Sequence, residues 1–292
     1  MDVDVPGGAP AAVATPEPGD PRLARLSLNQ KTVDRLDLPG AVDLCVRHGI
    51  PAIGLWREPV SAYGLEAASR LVRDAGLRVS SLCRGGFLTG DDGAAAIDDN
   101  RRAIDEAAML GTGTLVLVVG GLPAGSRDLP GARARVADRL ASLVPHAIQR
   151  GVRLALEPMH PIFCADRGVL STVEEALALA RPYPEDAVGV VIDTYHVWWD
   201  PAIRAQIAAA GTRIASFQVC DWVLPLPADT LLGRGMMGDG YVDFRALRRA
   251  VDDAGYTGDI EVEIFNGDVW AADADATAAT VKRRYVTEVL DG

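Results

Sequence analysis

The chain has 292 residues, 49% of them hydrophobic, and a formal net charge of −11. That length and composition predict one large folded domain and exclude a disordered chain. The acidic balance argues against a nucleic-acid backbone as the main partner, a local basic patch aside, and no apolar run reaches the ~18 residues that a membrane-spanning helix needs.

Residues 1–20 are rich in Pro, Ala and Gly, with neither a basic n-region nor an apolar h-region. They are expected to form a flexible tail rather than a signal peptide, with the folded domain over 21–292. Strand-like runs then follow at 22–28, 52–56, 78–83, 114–119, 152–157, 187–193, 213–219 and 259–265. Amphipathic helical stretches such as "AVDLCVRHG" and "NRRAIDEAAMLG" separate them, several ending in Gly, a common helix terminus. "STVEEALALA" opens on a Ser/Thr–x–x–Glu pattern that predicts a capping box. A longer segment, 221–242, intervenes before the helix-like "DFRALRRAVDDAG".

Eight strands alternating with about eight helices predict an α/β fold, a single closed (β/α)8 TIM barrel. An open doubly wound sheet would usually announce a Gly-rich phosphate loop after its first strand, but "NQKTVDRLDLPG" stands there. No second domain and no strong repeat beyond the βα period is evident.

The four cysteines, Cys45, Cys83, Cys164 and Cys220, form no C-x-x-C pair, which predicts reduced thiols and a cytoplasmic location. Only two lysines exist, Lys31 and Lys282, and neither lies in a strand-like run. A Schiff-base aldolase, which needs a lysine nucleophile in its pocket, is thereby excluded.

In a barrel of this kind, chemistry sits at the C-terminal ends of the strands. The fifth to eighth runs each carry a metal-competent residue there: Glu157, Asp193, Gln218 and Glu263. Three carboxylates and an amide oxygen make a hard site suited to Mn2+ or Mg2+, and a divalent cation relieves their mutual repulsion. A lone acidic residue at a strand end is more often a cap or salt-bridge partner. Four on consecutive strands favour the metal. His160 and His196 follow Glu157 and Asp193 by three residues and fall on the same rim, whereas His48 and His146 lie in helical stretches and are expected to be structural. Trp56 ends the second run and Arg84 follows the third, so both are candidate substrate contacts; Trp198 and Trp199 can stack on a ligand or pack beneath loops.

These residues resemble the sugar phosphate isomerase/epimerase superfamily, the xylose-isomerase-like TIM barrels, from about Arg22 to Val289. The most specific parts are the Glu ending the fifth strand, the D-T-x-H at 193–196, "RGMMGDG" at 234–240 and "GYTGDIEVEIF" at 255–265. In the ketose epimerases of that family one metal is held by Glu, Asp, His and Glu, matching Glu157, Asp193, Gln218 and Glu263. The resemblance implies that the two glutamates act as acid and base, and that His196 and Arg234 bind substrate oxygens. It implies a divalent metal, Mn2+ first, with Mg2+ or Co2+ as alternatives. The departures are Gln218 where His is usual and a longer 221–233 segment.

The expected chemistry is proton abstraction beside a carbonyl through an enediolate, giving a metal-dependent isomerase or epimerase of a small sugar or keto-sugar. The alternative is a lyase on the same scaffold, a dehydratase or an enzyme eliminating an aglycone from an oxidised glycoside, with His160 or His196 as the added acid. Phosphodiester hydrolysis in the endonuclease IV manner fits poorly with four histidines in total. The expected partner is a small carbohydrate, with no nucleic acid and no membrane; a homo-oligomer is compatible with the sequence. In "DIEVEIF" Glu261 and Glu263 share a face, but Glu261 lies two residues deeper. It is expected to be a structural ion-pair member, with Arg153 as its partner.

Overall fold

The computed structural model describes residues 14–290. Eight parallel strands, Leu26–Asn29, Ala52–Trp56, Arg78–Gly86, Thr114–Val118, Arg153–Leu156, Val188–Asp193, Ile214–Val219 and Ile260–Val262, close into a barrel, the first pairing with the last. All eight lie where apolar runs predicted them, with two differences at the ends. Residues Pro21–Leu23 form a 3-10 turn, because Pro21 occupies its start and the Asp20 carboxylate caps the Arg22 N–H at 2.9 Å. The first strand therefore starts only at Leu26. The eighth stops at Val262, so Glu263 lies just beyond it, although its N–H still reaches the Val219 carbonyl at 3.3 Å.

Residues 1–13 of the expected tail lie outside the described residues. Its described end packs onto the barrel: Pro16 is buried, and a Cβ at Gly49 would lie 2.7 Å from the Pro18 Cα. Gly49 also adopts φ 65° as it ends the helix Leu38–His48, so two constraints select glycine there. Aspartates cap many helix starts, as Asp37, Asp128 and Asp243 do. The predicted capping box forms with one change of partner. Thr172 accepts the Glu175 N–H at 3.2 Å, while the Glu175 carboxylate accepts from Ser171 at 2.7 Å.

Inward-facing Cys83, Val116, Ala155 and Val191 form an apolar layer inside the barrel. Deeper in the fifth strand, Arg153 fits against Gly189, where a Cβ would lie 2.7 Å from its Nε. Arg153 donates to the carbonyls of Thr212 at 2.6 Å and Ile214 at 3.3 Å. It is therefore not the partner of Glu261, whose hydrogen bonds all come from neutral groups.

The four cysteines are free, and burial pushes the Cys45 thiol up to about 12. Lys31 pairs with Asp34 at 2.7 Å, and the Lys282 ammonium donates to the His48 carbonyl at 3.0 Å. His48 and His146 bond Asp275 and Asp105 on outer helices, at 2.8 and 3.1 Å. Among the described residues, no helix is long and apolar enough to cross a membrane.

Candidate active site

The sixth to eighth strands bring Asp193, Gln218 and Glu261 into register, with Glu263 two residues beyond Glu261. Asp193 and Gln218 are register partners, and Gln218 is in turn the partner of Glu261. Alternation then sends Glu157, Asp193, Gln218 and Glu263 into the interior, where all four are buried. Asp193 Oδ1 caps the short helix Thr194–Val197 through the Tyr195 N–H at 2.8 Å, leaving Oδ2 for the site.

Arg234 enters from above. The long 221–242 segment, unassigned from its sequence, holds a small antiparallel ribbon pairing Asp221–Trp222 with Arg234–Gly235. Its organiser is Asp221, a fully buried carboxylate that accepts the N–H groups of Trp222, Gly238, Gly240 and Val242 at 2.8–3.0 Å. The sequence hint was an aspartate directly after a strand, facing a Gly-rich loop. The ribbon places the Arg234 guanidinium within 2.8 Å of Asp193 Oδ2, 3.2 Å of Glu263 Oε2 and 3.1 Å of His196 Nε2. Tyr195 and Phe265 flank it at 4.9 and 5.1 Å.

Burial dominates the electrostatics. It raises the pKa of Glu157 well above the usual carboxylate range, helped by the neighbouring charges of Asp193 and Glu263. It also raises Asp193 and pushes Glu263 up to about 8, with Arg234 opposing both shifts. His196 is held well below its ordinary value by burial first and the Arg234 charge second. It is neutral, and a neutral imidazole offers one acceptor nitrogen, so the His160 N–H at 3.2 Å and the Arg234 guanidinium compete for it.

The donor set fits a divalent cation. Glu157, Asp193 and His196 present ligand atoms within 4.8 Å of one another, a group that brings in His196 and leaves out Glu263. Gln218 Oε1 and Glu263 Oε1 are buried oxygens with no hydrogen-bond partner. Three buried carboxylates against one contacting guanidinium hold protons rather than all stay ionised, and a cation would take the place of those protons. Such unpaired buried acceptors are costly unless something occupies them.

Around this centre lies an aromatic wall. His160 stacks on Trp222 with ring centres 4.7 Å apart and meets the edge of Trp199 at 5.5 Å. Burial lowers the His160 pKa, so it too is neutral near pH 7. Trp198 packs on Trp222 and Tyr241, and the Trp199 indole N–H donates to the His196 carbonyl at 2.8 Å. Trp56, on the second strand, donates to Asn29 Oδ1 at 2.9 Å and packs edgewise on Phe265 at 5.6 Å. Arg84, half-buried, stacks on Phe87 at 4.1 Å and has no carboxylate within ion-pair distance among the described residues. It stands apart from the carboxylate cluster.

Residues 42–284 match the xylose isomerase-like TIM barrel family, and the chain belongs to it. A solved structure of a Sinorhizobium meliloti 1021 protein is 47% identical, with a TM-score of 0.88 over 91% of this chain and 98% of that one. The structure of the IolI protein with a bound zinc atom has a TM-score of 0.77 at 22% identity, covering 91% of this chain and 98% of its own; this likeness concerns the fold. Among curated proteins, the 3-dehydroshikimate dehydratase of Pseudomonas putida is 29% identical over 191 residues, 63% of this chain and 28% of the relative. The inosose isomerase of Bacillus subtilis is 27% identical over 155 residues, 52% of this chain and 54% of the relative. The chain thus spans well under two thirds of each of these two relatives.

Proposed function

We propose that the chain is a divalent-metal-dependent isomerase or epimerase of a small sugar or keto-sugar, working by proton abstraction beside a carbonyl. The observation that carries this is the ring of Glu157, Asp193, Gln218 and Glu263 on four consecutive strands, with unpartnered buried oxygens on Gln218 and Glu263. These four residues would hold the ion, with His196 within reach of it. Mn2+ is the expected metal, Mg2+ and Co2+ the alternatives; the oxygen donors suit a hard divalent cation. When bound, the ion would polarise the substrate carbonyl and stabilise the charge that develops on its oxygen.

The remaining work falls to the chain's own groups. Glu157 and Glu263 take and return the proton. Arg234 donates to substrate oxygens, and neutral His196 exchanges hydrogen bonds with them. Trp56 and the His160–Trp222 wall exclude water and pack against the ring or chain of the substrate. Arg84, with no carboxylate partner, is the contact for an outlying oxygen or acidic group of the substrate.

A lyase is the second reading. The dehydratase name of the Pseudomonas putida relative favours it, as does His160 beside the aromatic wall. One experiment separates the two. The Mn2+-loaded protein is incubated in D2O with a panel of ketoses and oxidised glycosides and followed by NMR. Deuterium at the carbon beside the carbonyl, in substrate and recovered isomer, is the expected result. An eliminated product without an isomer moves the assignment to the lyase. No exchange and no elimination anywhere in the panel would sink both.

A further inference from the structure

An amide ligand poses a question that an imidazole ligand does not. Gln218 can present oxygen or nitrogen to the site, and only the oxygen can hold a cation. Gln218 Nε2 donates to Glu261 Oε1 at 3.3 Å, and the reverse orientation would set two oxygens against each other. The same contact leaves Oε1 buried and unpartnered on a residue that is 1% exposed.

Glu261 is itself held with little freedom. Asn29 Nδ2 donates to its Oε1 at 2.6 Å, and the hydroxyls of Ser80 and Ser81 donate to its Oε2 at 2.6 and 2.9 Å. Ser27 lies 2.7 Å behind Ser80, so the serine chain points its protons toward the carboxylate. The Asn29 orientation is fixed independently, because its Oδ1 accepts from the Trp56 indole and the Lys31 N–H, each at 2.9 Å. Gly54 leaves the space: a Cβ there would lie 2.5 Å from Glu261 Oε1. Every partner of this carboxylate is a neutral donor, so the network has one polarity and one geometry.

From this network we infer that Glu261 is a positioning residue for metal binding. By accepting the Gln218 N–H it turns the amide oxygen toward Glu157, Asp193 and Glu263, so that the site presents four oxygens to the ion. The inference rests on the metal reading given under Proposed function. Outer partners that orient a ligand typically change metal affinity by about 10–100-fold when removed.

The test is Mn2+ binding to the metal-stripped full chain, followed by the EPR signal of the free ion, with circular dichroism and thermal unfolding of each variant in parallel. Glu261→Gln is expected to weaken Mn2+ by about tenfold or more, because an amide at 261 no longer dictates the orientation of Gln218. The paired Ser80→Ala and Ser81→Ala change, which leaves Glu261 in place but loosens it, is expected to weaken binding by a smaller factor and serves if Glu261→Gln fails to fold. Gln218→His, in the presence of Glu261, is expected to bind and to shift preference from Mn2+ toward Zn2+. Wild-type affinity in a folded Glu261→Gln variant, with Glu157→Gln and Asp193→Asn losing the ion, would overturn the positioning role and leave the metal site standing. No Mn2+ binding by the wild-type chain overturns both together.

Discussion

Gly54 shows how little room the support of the site leaves. Its missing Cβ is the space occupied by the Glu261 carboxylate, so Gly54→Ala forces that carboxylate from at least one of its four donors. Overpacking of this kind costs about 1–3 kcal/mol, and the expected outcome is a melting temperature lower by several degrees together with weaker Mn2+ binding. A second expectation follows from the raised carboxylates. Glu157 and Glu263 hold protons more tightly folded than unfolded, so the metal-free fold gains from them at low pH and loses that gain as pH rises from the ordinary value of 4.5 toward about 8. A cation must displace those protons, so its affinity rises over the same window. Calorimetry in buffers of different ionisation heat should register proton release on Mn2+ binding, and a pH-independent affinity would contradict it. Glu157, Asp193 and Glu263 were legible because each ends a strand-like run or lies near its end. Asn29, Ser80 and Ser81 were not, since they meet Glu261 only when the barrel closes, across 232, 181 and 180 residues of sequence. Arg153 had the right parity but the wrong depth, and it bonds carbonyls in the lower layer instead.

The ribbon at 221–222 and 234–235 is the element on which Arg234 depends. Nothing in it has the period of a strand or a helix, so its sequence shows its length and the RGMMGDG loop with Arg234 but not the pairing that builds it. What folds it is polar: one buried carboxylate collecting four backbone N–H groups, and Gly240, where a Cβ would lie 2.1 Å from the Trp222 carbonyl oxygen. A hydrogen bond to a charged group contributes about 1.5–3 kcal/mol, and Asp221 accepts four of them. Asp221→Ala is accordingly expected to loosen the ribbon and free Arg234, with kcat/KM falling at least about tenfold and Arg234→Ala adding little on top. Additive losses in the double variant would show that Asp221 acts elsewhere. The helices around the barrel were more legible. Their aspartate caps and terminal glycines are local devices, and local chemistry survives translation into structure.

At the scale of the molecule, the alternation of eight apolar runs with helices was enough to predict the barrel, because a parallel sheet needs that rhythm whatever its chemistry. The seam between first and last strands was not visible, since its fastenings are single polar residues. The Thr32 hydroxyl donates to the Val262 carbonyl at 2.9 Å and accepts the Ile264 N–H at 3.0 Å, and Arg25 reaches Gly258 and Asp252 at 2.7 and 2.9 Å. Thr32→Val keeps the shape and removes both hydroxyl bonds. It is expected to cost about 1–3 kcal/mol, read as a shifted denaturation midpoint with an unchanged slope.

The Asn29–Glu261 bond that crosses this seam also has a meaning in time. A ribosome adds about 5–20 residues per second, so the 232 residues between the two take roughly ten to fifty seconds to make. For the last part of that interval, once Asp193 has been added, the nascent chain holds Glu157 and Asp193 but neither Glu261 nor Glu263. The proposed ion site would therefore be among the last things the growing polypeptide acquires, and a cation met before then would find its cage incomplete.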